Sequence, residues 1–150
     1  MTPRSPIRFA AACALAFACQ AVADMDVPTS TVPNPDAEVA VAAVKAGDWQ
    51  RAIIGFGAAL KAEPDNAAFH NGLGYAYRKA GRFDDSFRHY RAALRIDPEL
   101  KSAHEYLGEA YLATGDKAKA REHLATLERL CGGRGCEEYR DLERAIAAAK

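Results

Sequence analysis

The sequence carries no excess of charge of either sign, since its 150 residues include 20 Lys and Arg against 20 Asp and Glu. The missing basic excess argues against non-specific binding to DNA or RNA, which depends on a positively charged surface. No apolar run reaches the ~18 to 20 residues that a helix needs to cross a membrane. With 49% hydrophobic and 27% charged residues, the composition is that of a globular protein and not of a disordered one.

Motifs of the common catalytic sites are also lacking. The chain has no His-Glu-x-x-His zinc motif, no glycine-rich loop for phosphate and no nucleophile elbow. Gly72 and Gly74 form a Gly-x-Gly, but it falls inside a predicted helix, where we expect glycine to serve packing. The sequence therefore gives no support to an enzymatic activity, and it predicts no cofactor.

The first 23 residues have the pattern of an export signal. Arg4 and Arg8 form a short basic start, and residues 9–22 are almost entirely apolar. The segment ends in Ala21-Val22-Ala23, the small-x-small pattern that a signal peptidase accepts. We therefore expect residues 1–23 to be a signal peptide cleaved near Ala23, and the mature protein to be periplasmic or secreted. A buried N-terminal helix is the alternative.

Cys19 offers a second interpretation of the same segment. Bacterial lipoproteins are cleaved immediately before a cysteine that then carries the lipid, but residues 16–18 fit such a site poorly. A lipid anchor at Cys19 is therefore the weaker alternative. Cleavage near Ala23 would remove two Arg and no acidic residue, which leaves 18 basic against 20 acidic side chains. It would also leave Cys131 and Cys136 as the cysteines of the mature chain.

A period of 34 residues organises most of the remaining sequence. Residues 24–35 come first, and their three Pro and small polar residues predict a flexible leader. Matching residues then recur 34 positions apart, in the pairs Leu73/Leu107, Gly74/Gly108, Tyr77/Tyr111, Gly81/Gly115, Ala59/Ala93 and Pro64/Pro98. Three units follow without insertion, at 33–66, 67–100 and 101–134. A repeat of this length indicates a solenoid.

With these residues at these offsets, the sequence resembles the tetratricopeptide repeat family. The middle unit matches most fully, through Leu73, Gly74, Tyr77, Gly81, Phe83, Ser86, Tyr90, Ala93 and Pro98. The resemblance implies an all-α solenoid of three helix-turn-helix repeats, followed by a C-terminal capping helix at 135–150.

The capping segment has one apolar and one charged face. Its apolar stripe consists of Tyr139, Leu142, Ala145 and Ile146, which suits the end of a stack of repeats. Its charged residues, among them Glu138 and Asp141, are expected to face water.

Glycine is predicted to end the first helix of each repeat. These helices are expected at 35–46, 67–80 and 101–114, and they run into Gly47, Gly81 and Gly115. A glycine there can adopt the positive φ that turns the chain back. Gly74 and Gly108 are expected to let paired helices approach closely. The first repeat is expected to be the least stable part of the fold, because Gly55 and Gly57 destabilise its second helix by about 1 kcal/mol each relative to alanine.

Cys131 and Cys136 enclose a glycine-rich loop between the last repeat and the capping helix. In an exported protein, two cysteines so placed most simply form a disulfide, which would fix the angle of the cap. Free thiols, a metal ion and a catalytic redox pair are the alternatives. Zinc would need two further ligands nearby.

The four histidines follow the same 34-residue period, His70 with His104 and His89 with His123. They could form a metal site shared between repeats, or they could be packing or surface residues copied with the repeat. Because duplication alone explains the spacing, we predict no metal site.

The resemblance places the functional surface on the concave face, which the first helix of each repeat forms. The candidates for partner binding there are Asn71, Tyr75, Arg78, Lys79, Glu105, Glu109 and Leu112. An aromatic ring, an amide and charges of both signs suit an extended peptide or a helix of a partner. Some family members clamp a chaperone tail with Lys, Asn and Arg. Those positions hold Ala37, Val41, Gly72, Ser102 and Tyr106 here, so that specificity is not expected.

The sequence therefore predicts an exported, non-catalytic module that binds a protein or peptide partner on its concave face. Two other functions stay open. One is a thiol redox or metal-binding protein that uses Cys131 and Cys136. The other is a self-assembling structural scaffold, since the ends of stacked repeats can pair between molecules and give a homo-oligomer.

Overall fold

The computed structural model describes residues 34–149. The predicted signal peptide, the alternative lipid anchor at Cys19 and nearly all of the predicted leader lie outside the described residues. Within them the chain forms seven α-helices and no strand: α1 (Pro35–Lys45), α2 (Trp49–Ala62), α3 (Ala67–Lys79), α4 (Phe83–Ile96), α5 (Lys101–Ala113), α6 (Lys117–Leu130) and α7 (Glu137–Ala148). None of these seven is long and apolar enough to cross a membrane.

The helix order confirms the all-α repeat fold. Each 34-residue unit folds into two helices, and α7 follows as a single helix. Each of the three first helices ends one residue earlier than the sequence predicts, because the residue after it already serves as the C-cap. This difference lies within the fraying expected at helix ends.

The same glycine turn ends each of the first helices. Gly47, Gly81 and Gly115 have φ values of 71°, 76° and 86°, as the sequence predicts. The residue after each glycine donates its backbone N–H to a carbonyl five residues earlier, as from Asp48 N to Ala43 O at 2.9 Å. This bond satisfies a carbonyl that the helix end leaves free. The Asp48 side chain then caps α2 by accepting a hydrogen bond from the backbone N–H of Arg51 at 3.0 Å.

The stack has an inner and an outer side. In each repeat the two helices pack together, and α2 and α4 also pack against the first helix of the next repeat. The first helices α1, α3 and α5 contact one another in series, whereas the second helices α2, α4 and α6 make no direct contact with one another. Because the first helices converge and the second helices spread apart, α1, α3 and α5 lie on the inner side. Helix α7 packs against α5 and α6, in the place that a fourth first helix would take.

Two hydrophobic clusters fill the space between the helices. The first centres on Phe56 and Phe69, and the second centres on Tyr90, Leu127 and Leu142. The predicted stripe of the cap is confirmed, since Tyr139, Leu142 and Ile146 are buried. The apolar face of α7 therefore closes the open end of the third repeat.

Glycines inside the helices let large side chains sit directly against a neighbouring backbone. A Cβ at Gly72 would lie 2.5 Å from the Phe56 ring, and one at Gly108 would lie 2.6 Å from Leu142. Gly55 also has a packing role that the sequence did not indicate, because a Cβ there would lie 2.9 Å from the backbone oxygen of Asp36. These glycines are needed for the spacing between helices, and their cost in helix propensity is offset by closer packing.

The histidines pair across the two helices of a single repeat. The Nδ1 atoms of His70 and His89 are 3.1 Å apart, and those of His104 and His123 are 3.0 Å apart. The pairing thus runs within repeats, across 19 positions, and not between repeats across 34. These contacts therefore do not bring together histidines of different repeats, as the metal site considered from the sequence would require.

Backbone carbonyls set the hydrogen-bonding role of one ring in each pair. The Nε2 atom of His70 lies 3.0 Å from Pro64 O, and His104 repeats this contact with Pro98 O at 3.0 Å. Because a carbonyl only accepts, Nε2 of His70 and of His104 carries a hydrogen, and in the neutral ring Nδ1 is left to accept from the partner ring. Burial, with a contribution from the paired ring, lowers the pKa of His89 to about 4.

We predict that replacing Gly72 with alanine destabilises the protein by about 1–2 kcal/mol, because the added methyl group overlaps the fully buried Phe56 ring. Gly57→Ala is the matched control. A Cβ there meets no atom within 4 Å, so this variant should be neutral or about 1 kcal/mol more stable. Denaturant unfolding of both variants gives the comparison. Equal stabilities would show that Gly72 is not a point of close approach.

We also predict that acidification destabilises the fold through the histidine pairs. Burial lowers the pKa of His89 and of His123 to about 4, whereas an unfolded chain titrates near the ordinary value, so the unfolded state takes up protons first. Between about pH 7.5 and about pH 5 the loss should be about 2 kcal/mol for the two pairs together, allowing half for screening by water. The His89→Gln/His123→Gln variant should lose most of this pH dependence. An unchanged dependence would contradict the assignment.

Candidate binding groove

The inner sides of α3 and α5, with the rim of α2 and one side of α7, form a surface that we call the inner groove. It is lined by Trp49, Tyr75, Arg78, Lys79, Glu105, Tyr106 and Glu109, with Glu138 and Asp141 from α7. Of the seven residues predicted from the sequence, the structure brings Tyr75, Arg78, Glu105 and Glu109 together. Lys79 lies at one end of them.

Aromatic rings run through the inner groove in a continuous row. Trp49 meets Tyr75 edge to face with ring centroids 6.2 Å apart, and Tyr75 meets Tyr106 at 5.1 Å. Tyr106 in turn lies 6.4 Å from Tyr90, which is fully buried. Trp49 and Tyr75 are half-buried, so the row leads from the groove surface into the second hydrophobic cluster. Such rings offer a large, rigid contact surface at small entropic cost.

Arg78 joins α3 to α5 beneath this row. Its Nη2 atom lies 2.7 Å from Oε2 of Glu109, and only 15% of its side chain is exposed. The guanidinium also lies over the rings of Tyr75 and Tyr106, 5.2 and 5.6 Å from their centroids. Removing one partner of such a shielded ion pair leaves an uncompensated charge and is strongly destabilising. Arg78 and Glu109 therefore hold α3 and α5 together as well as lining the inner groove.

Three of the predicted residues have other surroundings. Asn71 is buried, with 4% exposed, and its Nδ2 donates to Ser102 Oγ at 3.1 Å, so it links α3 to α5. Lys79 is exposed and lies 5.6 Å from the Trp49 centroid, at the end of the groove nearest α2. Leu112 is half-buried and packs against the second hydrophobic cluster.

Carboxylates gather at the other end of the inner groove. Burial raises the pKa of the Glu105 carboxyl to about 8. Repulsion by three further carboxylates, those of Glu109, Asp141 and Glu138, acts in the same direction, and Arg78 acts against it. A cation placed beside such a carboxyl favours its ionised form and so lowers the raised pKa.

The expectation that Glu138 and Asp141 face water is wrong in part. Both side chains are half-buried, and both lie close enough to Glu105 to raise its pKa. The reason is the position of α7, which takes the place of a fourth first helix and so turns one edge toward the inner side. The apolar stripe of α7 predicts which face is buried, but it does not predict which of the flanking polar residues lie near α5.

Two further groove residues were not among the predicted binding residues. Trp49 begins a second helix, a type of helix that the resemblance assigns to the outer side, yet its first turn reaches Tyr75 at the rim. The sequence marks Tyr106 only as a position where a chaperone clamp is missing. Its spacing of 31 from Tyr75 places the two rings on neighbouring first helices, and this signal could have identified the pair.

The sulfur atoms of Cys131 and Cys136 are bonded, with the Cα atoms 5.8 Å apart. Cys131 is the C-cap of α6 and Cys136 is the N-cap of α7, so the bond joins the two helix ends directly. Gly132 and Gly133 between them have φ values of 63° and 135°, which allow the loop to close.

One group of side chains in the described region could hold a metal ion. The ligand atoms of Cys131, Cys136 and Glu138 lie within 4.8 Å of one another. A disulfide offers no thiolate, and the thiolate is the form that binds metal. The arrangement therefore fits a metal only after reduction of the bond.

Family models of the tetratricopeptide repeat match the chain twice. One covers residues 40–101 and the other covers residues 77–130. Together they span both helices of the second repeat and most of the first and third. A search of curated proteins gives no match.

Solved tetratricopeptide domains have a similar fold. The TPR2B domain of yeast Sti1 in its pHsp70 complex has a TM-score of 0.70 at 18% identity and covers 76% of this chain and 92% of that chain. The Sgt2 TPR domain from Aspergillus fumigatus has a TM-score of 0.67 at 24% identity, covering 80% and 83%. The first TPR of Spaghetti (RPAP3), bound to the HSP90 peptide SRMEEVD, has a TM-score of 0.65 at 19% identity, covering 75% and 91%. At these identities the likeness concerns the fold.

We predict that loss of the Cys131–Cys136 bond lowers stability by about 2 kcal/mol or less, because so short a loop restricts the unfolded chain little. Thermal unfolding with and without reductant measures the effect. The Cys131→Ser/Cys136→Ser variant should melt near the reduced protein and should not respond to reductant. Unfolding of the whole stack on reduction would contradict a bond that only holds the angle of α7.

Proposed function

Because the chain belongs to the tetratricopeptide repeat family, we propose that it is an exported, non-catalytic module that binds a protein or peptide partner in the inner groove. The observation that carries the proposal is the half-exposed row of Trp49 and Tyr75, framed by charged side chains of both signs. Interfaces gain most of their affinity from such aromatic anchors in a polar surround.

The rigidity of the groove supports recognition of a partner. Tyr75 is held between Trp49 and Tyr106, and the Arg78–Glu109 pair ties α3 to α5 below it. A surface that keeps its shape without a partner loses little entropy on binding. Two of the similar structures are complexes, one with pHsp70 and one with an HSP90 peptide, which fits a peptide-binding role for this fold.

The proposal of export rests on the N-terminal sequence and on the two cysteines. A basic start, a short apolar run and the small-residue exit at Ala23 are typical of a signal peptide. The pairing of Cys131 with Cys136 is consistent with an oxidising compartment outside the cytoplasm.

Recognition of an acidic chaperone tail is not proposed. The SRMEEVD peptide in the RPAP3 complex carries three carboxylate side chains in its last four residues. The positions that resemble a chaperone clamp hold Ala37, Val41, Gly72, Ser102 and Tyr106 here, none of which is cationic. Gly72 and Tyr106 are moreover used for packing, against Phe56 and against Tyr75.

We predict that Tyr75→Ala weakens partner capture by tenfold or more, roughly the effect of losing one aromatic anchor. Tyr77→Ala is the matched control, because this tyrosine lies two residues away and stacks on His89, on a different side of α3. The measurement is affinity capture from an extract of the exported fraction, quantified by mass spectrometry at a temperature where both variants are folded. Equal capture by the two variants would argue against the inner groove as the binding surface.

A further inference from the structure

We propose that the inner groove selects a partner segment with a lysine or arginine side chain, which lies against Glu105 between α5 and α7. The inference rests on the proposed function and names the chemistry of the partner. It depends on how the charges of the groove are already paired.

The cations of the groove are occupied or distant. Arg78 already forms an ion pair with Glu109, with Nη2 2.7 Å from Oε2. Lys79 lies over Trp49 and Tyr75, at the end of the groove near α2. Asp141 has an exposed partner on its own helix, with Nη2 of Arg144 at 2.5 Å from its Oδ1. Glu105 and Glu138 have no ion-pair partner among residues 34–149.

The groove is therefore polarised along its length. One end carries an ammonium group from Lys79, and the other carries Glu105 and Glu138, which form no ion pair within the described part of the chain. Glu105, Glu138 and Asp141 repel one another when all three are ionised, and a cation from a partner would relieve that repulsion. An acidic segment at the same place would add to the repulsion, and such like-charge contacts exclude wrong partners.

A buried acceptor lies between α3 and α5, the two helices that carry Tyr75 and Glu105. Asn71 is 4% exposed, and its Nδ2 donates to Ser102 Oγ, so the side chain is fixed between α3 and α5. Its Oδ1 atom has no hydrogen-bond partner in the described part of the chain. Ser102 stands one helical turn before Glu105 on α5, so Asn71 meets the same stretch of α5 that carries the carboxylate.

An acceptor and a carboxylate together match a side chain that only donates. A lysine ammonium has three N–H donors and an arginine guanidinium has five, and neither accepts. Arg78 is a cation of the chain itself, and it is enclosed by Glu109 and by the rings of Tyr75 and Tyr106. The same rings show that cations pack favourably here, and the aliphatic stem of a partner lysine or arginine would lie along Tyr75.

The test begins with a random-peptide library displayed on phage and selected on the purified protein near neutral pH and at low salt. We expect enriched peptides to carry lysine or arginine and to be depleted of aspartate and glutamate. The most enriched peptide is then synthesised with a fluorophore, and its Kd is measured by anisotropy. Glu105→Gln should weaken binding tenfold or more. Glu122→Gln, an equal charge change at an exposed position of α6, should leave the Kd unchanged.

A charge exchange and a pH series sharpen the result. Replacing the essential lysine or arginine of the peptide with glutamate should abolish binding to the native protein, and Glu105→Lys should restore it. Because the cation binds the ionised carboxyl, affinity should rise with pH through the range near 8 where Glu105 titrates, and Glu105→Gln should remove that rise.

The outcomes separate the two proposals. Enrichment of no peptide over an unrelated helical protein would overturn the binding function itself. Enrichment of acidic or uncharged peptides that depend on Tyr75 would leave that function standing and overturn the preference for a cation. Basic peptides that bind Glu105→Gln as tightly as the native protein would also overturn it, since they would be bound elsewhere.

Discussion

The close approach of neighbouring helices at Gly72 and Gly108 is the constraint on which the rest of the structure depends. Phe56 fills the space against the bare backbone at Gly72, and Leu142 does so at Gly108. Dense interiors do not tolerate an added methyl group at such contacts without displacement. Each contact joins one helix pair to the next element. The spacing of the stack therefore depends on the absence of a side chain at Gly72 and at Gly108.

That spacing produces the inner groove. When first helices converge and second helices diverge, side chains of α3 and α5 are brought within contact distance of each other. Tyr75 then meets Tyr106, and Arg78 reaches Glu109. Because α7 continues the series, it adds its own carboxylates to the same surface. The charge pattern of the groove is thus a consequence of the way the stack ends.

Much of the fold could be predicted from the sequence, because the repeat imposes the same local chemistry three times. The glycine turns at Gly47, Gly81 and Gly115 follow from backbone sterics alone, and the stripe of α7 follows from helical periodicity.

The candidate site was predicted less completely. Its residues depend on interactions between elements, such as the hydrogen bond of Asn71 with Ser102 or the effect of the Asp141 charge on the Glu105 carboxyl. The spacing of residues within one helix reveals neither. The partners of the histidines were missed for the same reason, since His70 meets His89 across a turn and not its repeat counterpart. The packing role of Gly55 was missed for the same reason, because it depends on the close approach of the Asp36 backbone on another helix.

The most direct test of recognition in the inner groove is an NMR titration of the isotope-labelled protein with a peptide selected on it. We expect the backbone amide signals of Tyr75, Glu105 and Glu109 to shift with bound peptide, together with those on the inner edge of α7. Signals of His89 and His123, on the second helices, should stay in place. Shifts confined to α4 and α6 would contradict the account, because they would place the partner on the outer side of the stack.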